Sequence, residues 1–247
     1  MKTSELLRYV AKDLLDDRVD MLSGESDELV SDTTIARHLA EAERILCRRA
    51  WVLEDVGPSL ATRIQLVEGK MEYPLHKSTL FVKAARLSDS DIDLRRVGYE
   101  DNRSRYGFEA SASAHFDVNA PSSENPGRPS RFSTDIGYRA IRVRMKPDAA
   151  SALLKLHLVV VRMPINTISA TTPDAEPECP EEFHMDLATY AAGKCLNVAN
   201  VDAALRSLGK SYLEEFNGRV LEAKRDRQRL QQSQPQHRFG SWVGRDN

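Results

Sequence analysis

The residue types that most often carry chemistry are scattered along this chain. They comprise six histidines and three cysteines: His38, His76, His115, His157, His184 and His237, with Cys47, Cys179 and Cys195. The sequence holds no His-Glu-x-x-His motif and no closely spaced cysteine pair, so a zinc site is not indicated. It also lacks the Gly-x-Ser-x-Gly nucleophile motif. We therefore expect no catalytic residue, no metal and no cofactor.

Three short polar or glycine-containing motifs have structural explanations. Glu68-Gly69-Lys70 lacks the upstream glycine of a phosphate loop and is interpreted as a hairpin turn. Gly193 lies inside a helical pattern, where a glycine favours close packing between helices more than access for a ligand. His184, between Glu182 and Asp186, is explained by a charged, solvated face at the start of a helix.

Clustered positive charge is the other chemistry that the sequence offers. Arg139, Arg142 and Arg144 alternate with apolar residues on one predicted strand. The row is a candidate face for DNA or for a protein interface, although the polar outer side of a sheet is the simpler explanation. Segment 219–238 carries six Lys or Arg against two acids, a local net charge of +4. Such a mixed run indicates a solvated helix, an acidic protein partner or nucleic acid.

The C-terminal segment 231–247 is polar yet carries two large aromatic residues, Phe239 and Trp242. Ordering an extension costs conformational entropy, and its aromatics gain little unless another surface buries them. We therefore predict an extended tail that docks onto a partner through Arg238, Phe239, Trp242 and Arg245. A disordered overhang with incidental aromatics is the alternative.

Composition excludes several classes of protein. The chain has 247 residues, is 41% hydrophobic and 29% charged, and carries a net charge of −2. This composition supports a sizeable core and argues against both a disordered chain and a dedicated nucleic-acid binder. The longest apolar run, 156–161, is interrupted by His157 and is too short to cross a membrane. Charges within the first eight residues argue against a signal peptide, so we expect reduced cysteines in a reducing cytoplasm.

The pattern of periodicities predicts an α+β fold with a particular domain order. We expect a helical bundle of two N-terminal and two C-terminal helices, with a β-domain inserted between the pairs and an extended tail. Two hairpins are predicted in the β-domain, one over 63–75 and one pairing 138–145 with 154–160. The expected boundaries are 1–58 for the N-terminal helices, 59–170 for the β-domain with a long loop over 101–135, 171–230 for the C-terminal helices and 231–247 for the tail.

Four stretches of the sequence are similar to one known family. They are SDTTIARHLAEA over 31–42, IQLVEGKMEYPL over 64–75 with its Gly-x-x-x-Tyr-x-Leu spacing, GRPSRF over 127–132 followed by IRVRMKPDA over 141–149, and PEEFHMDLATYAA over 180–192. In this order and spacing they resemble the head-to-tail adaptor (connector or neck) proteins of tailed bacteriophages.

The resemblance implies a structural role in the virion. Such adaptors form a ring, usually of twelve subunits, between the portal protein and the tail nozzle or tube protein. Genomic DNA passes through the ring without sequence-specific binding, and the C-terminal segment commonly reaches the portal. The implied location is the neck of the virion, after synthesis in the host cytoplasm.

Two other classes of function stay open at this point. One is a cytoplasmic nucleic-acid-binding or regulatory module that uses the basic segment 219–238, which salt-dependent DNA binding by the isolated monomer would favour. The other is an enzyme with a site in the β-region, which a metal or cofactor in the purified protein would favour. The reading we prefer is a non-enzymatic, ring-forming adaptor.

Overall fold

The computed structural model describes residues 1–15, 30–97, 126–134, 139–197 and 203–233, and the α+β class is confirmed. Within these ranges the helices are α1 (Thr3–Tyr9, continued by a π-helical turn over Val10–Leu14), α2 (Asp32–Ala50), α3 (His184–Leu196) and α4 (Ala203–Ser233). The strands are β1 (Glu54–Asp55), β2 (Arg63–Gln65), β3 (Glu72–Pro74), β4 (Thr79–Leu87), β5 (Arg95–Arg96), β6 (Pro126–Gly127), β7 (Arg131–Ser133), β8 (Ala140–Arg144), β9 (Lys146–Pro147) and β10 (Lys155–Arg162). None of the described helices is long and apolar enough to cross a bilayer.

One apolar core is shared by all four helices. Each helix contributes residues at steps of three or four, because that spacing places them on one face. The buried set includes Leu6 and Val10 of the first helical segment, Ile35, Leu39 and Leu46 of α2, Leu187 and Ala191 of α3, and Phe216 and Val220 of α4. Tyr190 packs on Phe216 with 4.8 Å between ring centroids. Helices from the two ends of the sequence therefore meet in one core.

Helices α3 and α4 approach each other at two glycines. A Cβ atom placed on Gly209 would lie 2.9 Å from the Cβ of Leu196 and 3.0 Å from the carbonyl oxygen of Gly193. A Cβ atom on Gly193 would lie 2.9 Å from the carbonyl oxygen of Gly209. The interpretation of Gly193 as a close-packing residue is confirmed.

The close contact predicts opposite effects for two glycines of the same helix. Gly209→Ala should lower the free energy of unfolding by about 1–3 kcal/mol, because backbone and side-chain atoms of α3 must shift to admit the methyl group. Gly218→Ala, where a Cβ atom would meet nothing within 4 Å, should raise the free energy of unfolding by up to about 1 kcal/mol through helix propensity. Urea unfolding followed by circular dichroism measures both, and equal effects would contradict this packing.

The first sheet is built on the long strand β10. It pairs antiparallel with β4 along one edge and with β1 and β2 at opposite ends of its other edge. Alternation places Leu156 and Leu158 in the core opposite Leu87 and Ala85 of β4. His157, which lies between these two leucines, faces the other side of the sheet.

The second sheet has the order β3-β8-β7-β5, and its inner residues join the core of the first sheet. Tyr73, Phe132, Ile141 and Val143 are all buried there. Strands β7 and β8 are antiparallel, whereas β5 runs parallel to β7. A separate two-stranded parallel pair joins β6 to β9.

Both predicted hairpins are wrong in their partners. Strand β2 pairs with β10 and β3 pairs with β8, so residues 63–75 connect two sheets. The predicted partners 138–145 and 154–160 also lie in different sheets. The turn itself is present: Gly69 has φ 71°, and the Tyr73 hydroxyl donates to the carbonyl of Lys70 at 2.8 Å and accepts the Val67 N–H at 3.0 Å. The turn redirects the chain instead of folding it back on itself.

The predicted loop over 101–135 is also corrected at its C-terminal end. Strands β6 and β7 lie within 126–134, and Phe132 is 1% exposed. Pro126 and Pro129 suggested a loop because proline cannot donate to a strand ladder. The edge pair β6–β9 tolerates such a residue, and the buried Phe132 ring anchors β7 against the core. The remainder of the predicted loop, 101–125 and position 135, lies outside the described residues.

Candidate functional site

The predicted arginine row does not form one exposed face. Arg142, in the middle of β8, lies opposite Glu72 of β3 and Ser133 of β7 and is 9% exposed. Burial lowers the pKa of Arg142 from its ordinary value, partly opposed by the charge of Glu72. Arg139 precedes the strand with φ 55°, and Arg144 is half-buried opposite Arg131. Arg142 is therefore enclosed between neighbouring strands, and its side chain is largely inaccessible to a polyanion.

The predicted docking residues of the tail lie outside the described residues. Arg238, Phe239, Trp242 and Arg245 all follow the last residue of α4, Ser233. The point at which that segment leaves the folded part is therefore the C-terminal end of the long helix α4, and the docking role of the four residues stays a prediction.

Most of the basic side chains at the C-terminal end of α4 contact other residues of this chain. Arg227 pairs with Glu54 of β1, and Arg229 pairs with Asp226 at 3.2 Å. The Lys224 ammonium lies 5.9 Å from the ring centroid of Trp51. Arg219 forms a salt bridge with Glu222, one turn further along the helix, at 3.1 Å. The contacts of Arg227 and Lys224 hold α4 against the rest of the fold, whereas those of Arg229 and Arg219 run along the helix itself.

A cluster of charged residues joins the helices to the first sheet. Arg162, at the end of β10, donates from Nε to Asp55 at 2.8 Å and from a terminal nitrogen to Glu178 in the segment before α3. The three side chains are only 13%, 13% and 14% exposed, respectively. Glu178 also accepts the backbone N–H groups of Ile165 and Asn166. One arginine therefore connects a strand end with the linker that returns to the helices.

Burial works against the charge on both carboxylates of this cluster. Burial alone would raise the pKa of Asp55 and of Glu178. The hydrogen bonds and charge of Arg162, helped by Ser59 and the Gly57 N–H at Asp55 and by two backbone N–H groups at Glu178, outweigh burial. Both pKa values therefore lie below the usual range. The arrangement keeps a −/+/− set of charges in a nearly dry site, where removing one partner is costly.

Another buried carboxyl group, separate from this cluster, lies between α2 and the segment that precedes α3. Glu43 is 1% exposed, and its Oε1 accepts the backbone N–H of Cys179 at 3.0 Å. Burial raises the pKa of Glu43 to about 7. Burial also raises the thiol pKa values of Cys47 and Cys179 well above the ordinary range. Those thiols are therefore protonated and unreactive, and they pack as small apolar groups.

An open groove of about 650 Å³ lies between the start of α3 and the C-terminal half of α4. Its apolar lining residues are Val52, Pro180, Phe183, Met185, Ala223 and Leu230, and its charged ones are Glu182, Asp186, Glu222, Asp226, Arg219 and Arg227. The lining holds no histidine, cysteine or hydroxyl group, so it offers carboxylates but no nucleophile. Within the described ranges, no group of three or more His, Cys, Asp or Glu residues is arranged to hold a metal ion.

Sequence reasoning missed the most densely connected charged residues. The cluster joins residues that are far apart in sequence, namely Arg162, Asp55 and Glu178. No local sequence motif indicates that their side chains are in contact. Sequence reasoning also missed a row of basic residues across the outer face of the first sheet, formed by Arg63, Arg86 and His157. In the sequence these residues occupy polar positions that alternate with apolar ones. That alternation does not reveal the strand register that brings the three residues together.

Comparison with known proteins gives one match that spans almost the whole chain. The model of a family described as "SU10 adaptor protein" matches residues 1–238. A search of curated proteins finds no match to the chain.

Proposed function

Because the chain belongs to the SU10 adaptor protein family, we propose that it is a virion structural protein that joins the portal to the tail of a bacteriophage as a ring of subunits. The family match carries the proposal, and the order of helices and β-region agrees with the head-to-tail adaptors that the sequence resembles. The ring would enclose the DNA channel at the neck of the virion, through which the genome leaves during ejection.

The helical core joins the N-terminal helices of the subunit to its C-terminal helices. Residues of α1 and α2 pack with residues of α3 and α4 in one cluster. The four helices would then form the bundle of the ring wall, with the β-region inserted after α2. The 31-residue helix α4 spans about 46 Å at 1.5 Å per residue. A helix of that length can carry the tail from the ring wall towards a neighbouring protein.

The tail is the part of this subunit that we assign to the portal. Arg238, Phe239, Trp242 and Arg245 would dock there, since aromatic and arginine side chains dominate the energy of small interfaces. A tail nozzle or tube protein would bind at the other end of the ring. The usual ring of the resembled family has twelve subunits, and this number is our proposal for the present chain. Contacts between subunits would be heterologous, because such contacts close into rings.

The contacts within the chain favour this reading over a regulatory nucleic-acid-binding module based on segment 219–238. In that segment Arg219, Arg227 and Arg229 pair with carboxylates, and Lys224 lies over Trp51. Arg227 is mostly buried by its pairing with Glu54, whereas Arg219 and Arg229 pair at the exposed surface of α4, so the charge of this segment is only partly available to phosphates. The buried, protonated cysteines and the groove without a nucleophile give no support to an enzymatic function.

Assembly on isolated portal rings tests the proposal. Electron microscopy of the protein mixed with its portal should reveal a closed ring with the portal's axis, containing several copies and twelve in the usual case. Portal rings of an unrelated phage are the control, because they should recruit none. A single bound copy, or no bound protein under conditions where both components are folded, would contradict the proposed role.

A further inference from the structure

The outer face of the first sheet carries a row of basic side chains that the described part of the chain leaves largely uncovered. His157 of β10 lies directly opposite Arg63 of β2 on one side and Arg86 of β4 on the other. Lys155, two residues before His157, lies on the same face because side chains alternate along a strand. Arg63, Arg86 and Lys155 are exposed, and His157 is half-buried among them. We call these four residues the basic row.

The strand register places the basic row on the face of the sheet that points away from the core. Leu156 and Leu158, on either side of His157 along β10, are buried opposite Leu87 and Ala85. A shift of one residue would bury the charges and expose the leucines, so the apolar core fixes the row on the outside.

Within the described ranges, the row holds like charges together without a salt bridge that balances them. Opposite strands place side chains about 5 Å apart, and like charges directly opposite each other destabilise a sheet. Among the described residues, none forms a salt bridge with Arg63, Arg86 or Lys155. Asp93 is bridged to Arg86 through the backbone but makes no salt bridge with it. The pKa of His157 is lowered, first by burial and then by the charges of Arg63, Arg86 and Lys155.

We propose that the basic row is a binding surface for the phosphates of a nucleic-acid backbone. The inference draws on the proposed function only for the source of the polyanion, which in the ring would be the DNA of the channel. The surface differs from the row Arg139, Arg142 and Arg144, whose central residue is buried, and from segment 219–238, which contacts its own chain.

The spacing of the row favours phosphates over a protein carboxylate. Three residues on adjacent strands span about 10 Å, since strands are about 4.8 Å apart. A nucleic-acid strand offers one charge per about 3.4 Å of helix axis, so two or three phosphates face the row together. A single Asp or Glu side chain of a partner would neutralise only one of these positions. The contact is to charge alone, which allows DNA to slide past without being read.

Salt-dependent DNA binding by the isolated full-length protein tests the proposal. We expect a labelled duplex of random sequence to bind weakly, with an affinity that falls as salt rises. Arg63→Ala/Arg86→Ala should weaken binding about tenfold or more at low salt. It should also lower the slope of log affinity against log salt by about two, at about 0.9 per lost phosphate contact. Both side chains are exposed, so thermal unfolding should be unchanged or slightly improved.

Matched variants separate the basic row from other positive charges. Lys77→Ala, an exposed change in the same region of the chain, should leave both the affinity and the slope unchanged. Arg225→Ala/Arg229→Ala tests the C-terminal part of α4. If that variant loses binding while Arg63→Ala/Arg86→Ala retains it, or if the wild-type protein binds no DNA, the basic row is not a phosphate surface.

Two further measurements can contradict the proposal: the pKa of His157 and the competition between polyglutamate and DNA. NMR titration should give a higher pKa for His157 when inorganic pyrophosphate is added, and the same rise without anion in Arg63→Ala/Arg86→Ala. Polyglutamate should compete poorly with DNA of equal charge. Equal competition would assign the surface to an acidic protein instead. Failure of ring assembly on the portal would leave these results unaffected, so the two proposals fail separately.

Discussion

A chain that ends at Ser233 should fold as the full protein does but should not attach to portal rings. The described helical core extends no further along α4 than Val220 and its neighbour Ala223, so removing residues 234–247 takes nothing from it. If fully extended at about 3.3 Å each, fourteen residues would span about 45 Å, enough to reach a protein stacked on the ring. Because the proposed docking aromatics, Phe239 and Trp242, belong to the removed residues, we expect attachment to fall below detection while the melting temperature is unchanged.

Side-chain variants distinguish a docking tail from an overhang that merely adds length. Phe239→Ala/Trp242→Ala should reproduce most of the loss, since each buried aromatic anchor contributes about 2 kcal/mol or more at an interface. Gln234→Ala/Gln236→Ala changes the same number of tail residues and should attach normally. Co-sedimentation with portal-containing heads measures all three proteins. Normal attachment of the truncated chain would leave the tail without a role.

The helices could be predicted well from the sequence because their signal is local. Apolar residues at steps of three or four define the buried faces of α2 and α3 without knowledge of what covers them. Helix α4 ends three residues later than predicted, at Ser233 instead of 230. The helix α2 ends at Ala50, where Trp51 adopts φ 58°. Gly57-Pro58 suggested a later end, and nothing in the sequence marks a tryptophan as a left-handed helix end.

Strand pairing could not be predicted, because alternation identifies the buried side of a strand and not its neighbour. The stretch Ile64 to Leu75 has the alternation and the glycine turn of a hairpin, yet its two strands lie in different sheets. Long-range contacts decide this: Ile64 lies opposite Leu156, and Tyr73 lies opposite Ile141. The basic row was missed for the same reason, since it is assembled from three strands that only the fold brings together.

Replacing Arg162 by methionine should lower the free energy of unfolding by about 3–5 kcal/mol at neutral pH. Methionine keeps much of the length and apolar stem of the side chain but leaves Asp55 and Glu178 as nearly buried carboxylates without their counter-charge. Arg219→Met is the matched control. Arg219 is 55% exposed and pairs along the helix surface with Glu222, so its loss should cost less than about 1 kcal/mol.

The pH dependence of that deficit separates lost charge pairing from lost packing. In the native protein both carboxyl pKa values are depressed below their ordinary values of 3.8 and 4.5. Their contribution to stability is therefore present above those values and is lost as the pH falls through the depressed ones. In Arg162→Met burial is opposed only by the remaining hydrogen bonds, from Ser59 and Gly57 to Asp55 and from Ile165 and Asn166 to Glu178. Both pKa values should therefore rise, and the carboxyls should take up protons at a higher pH. The difference from wild type should then be largest above about pH 5 and shrink as the pH falls towards 3, as measured by urea unfolding at each pH. A deficit that stayed constant over this range would mean that Arg162 acts through packing, and that the charges it joins contribute little to holding the sheet on the helices.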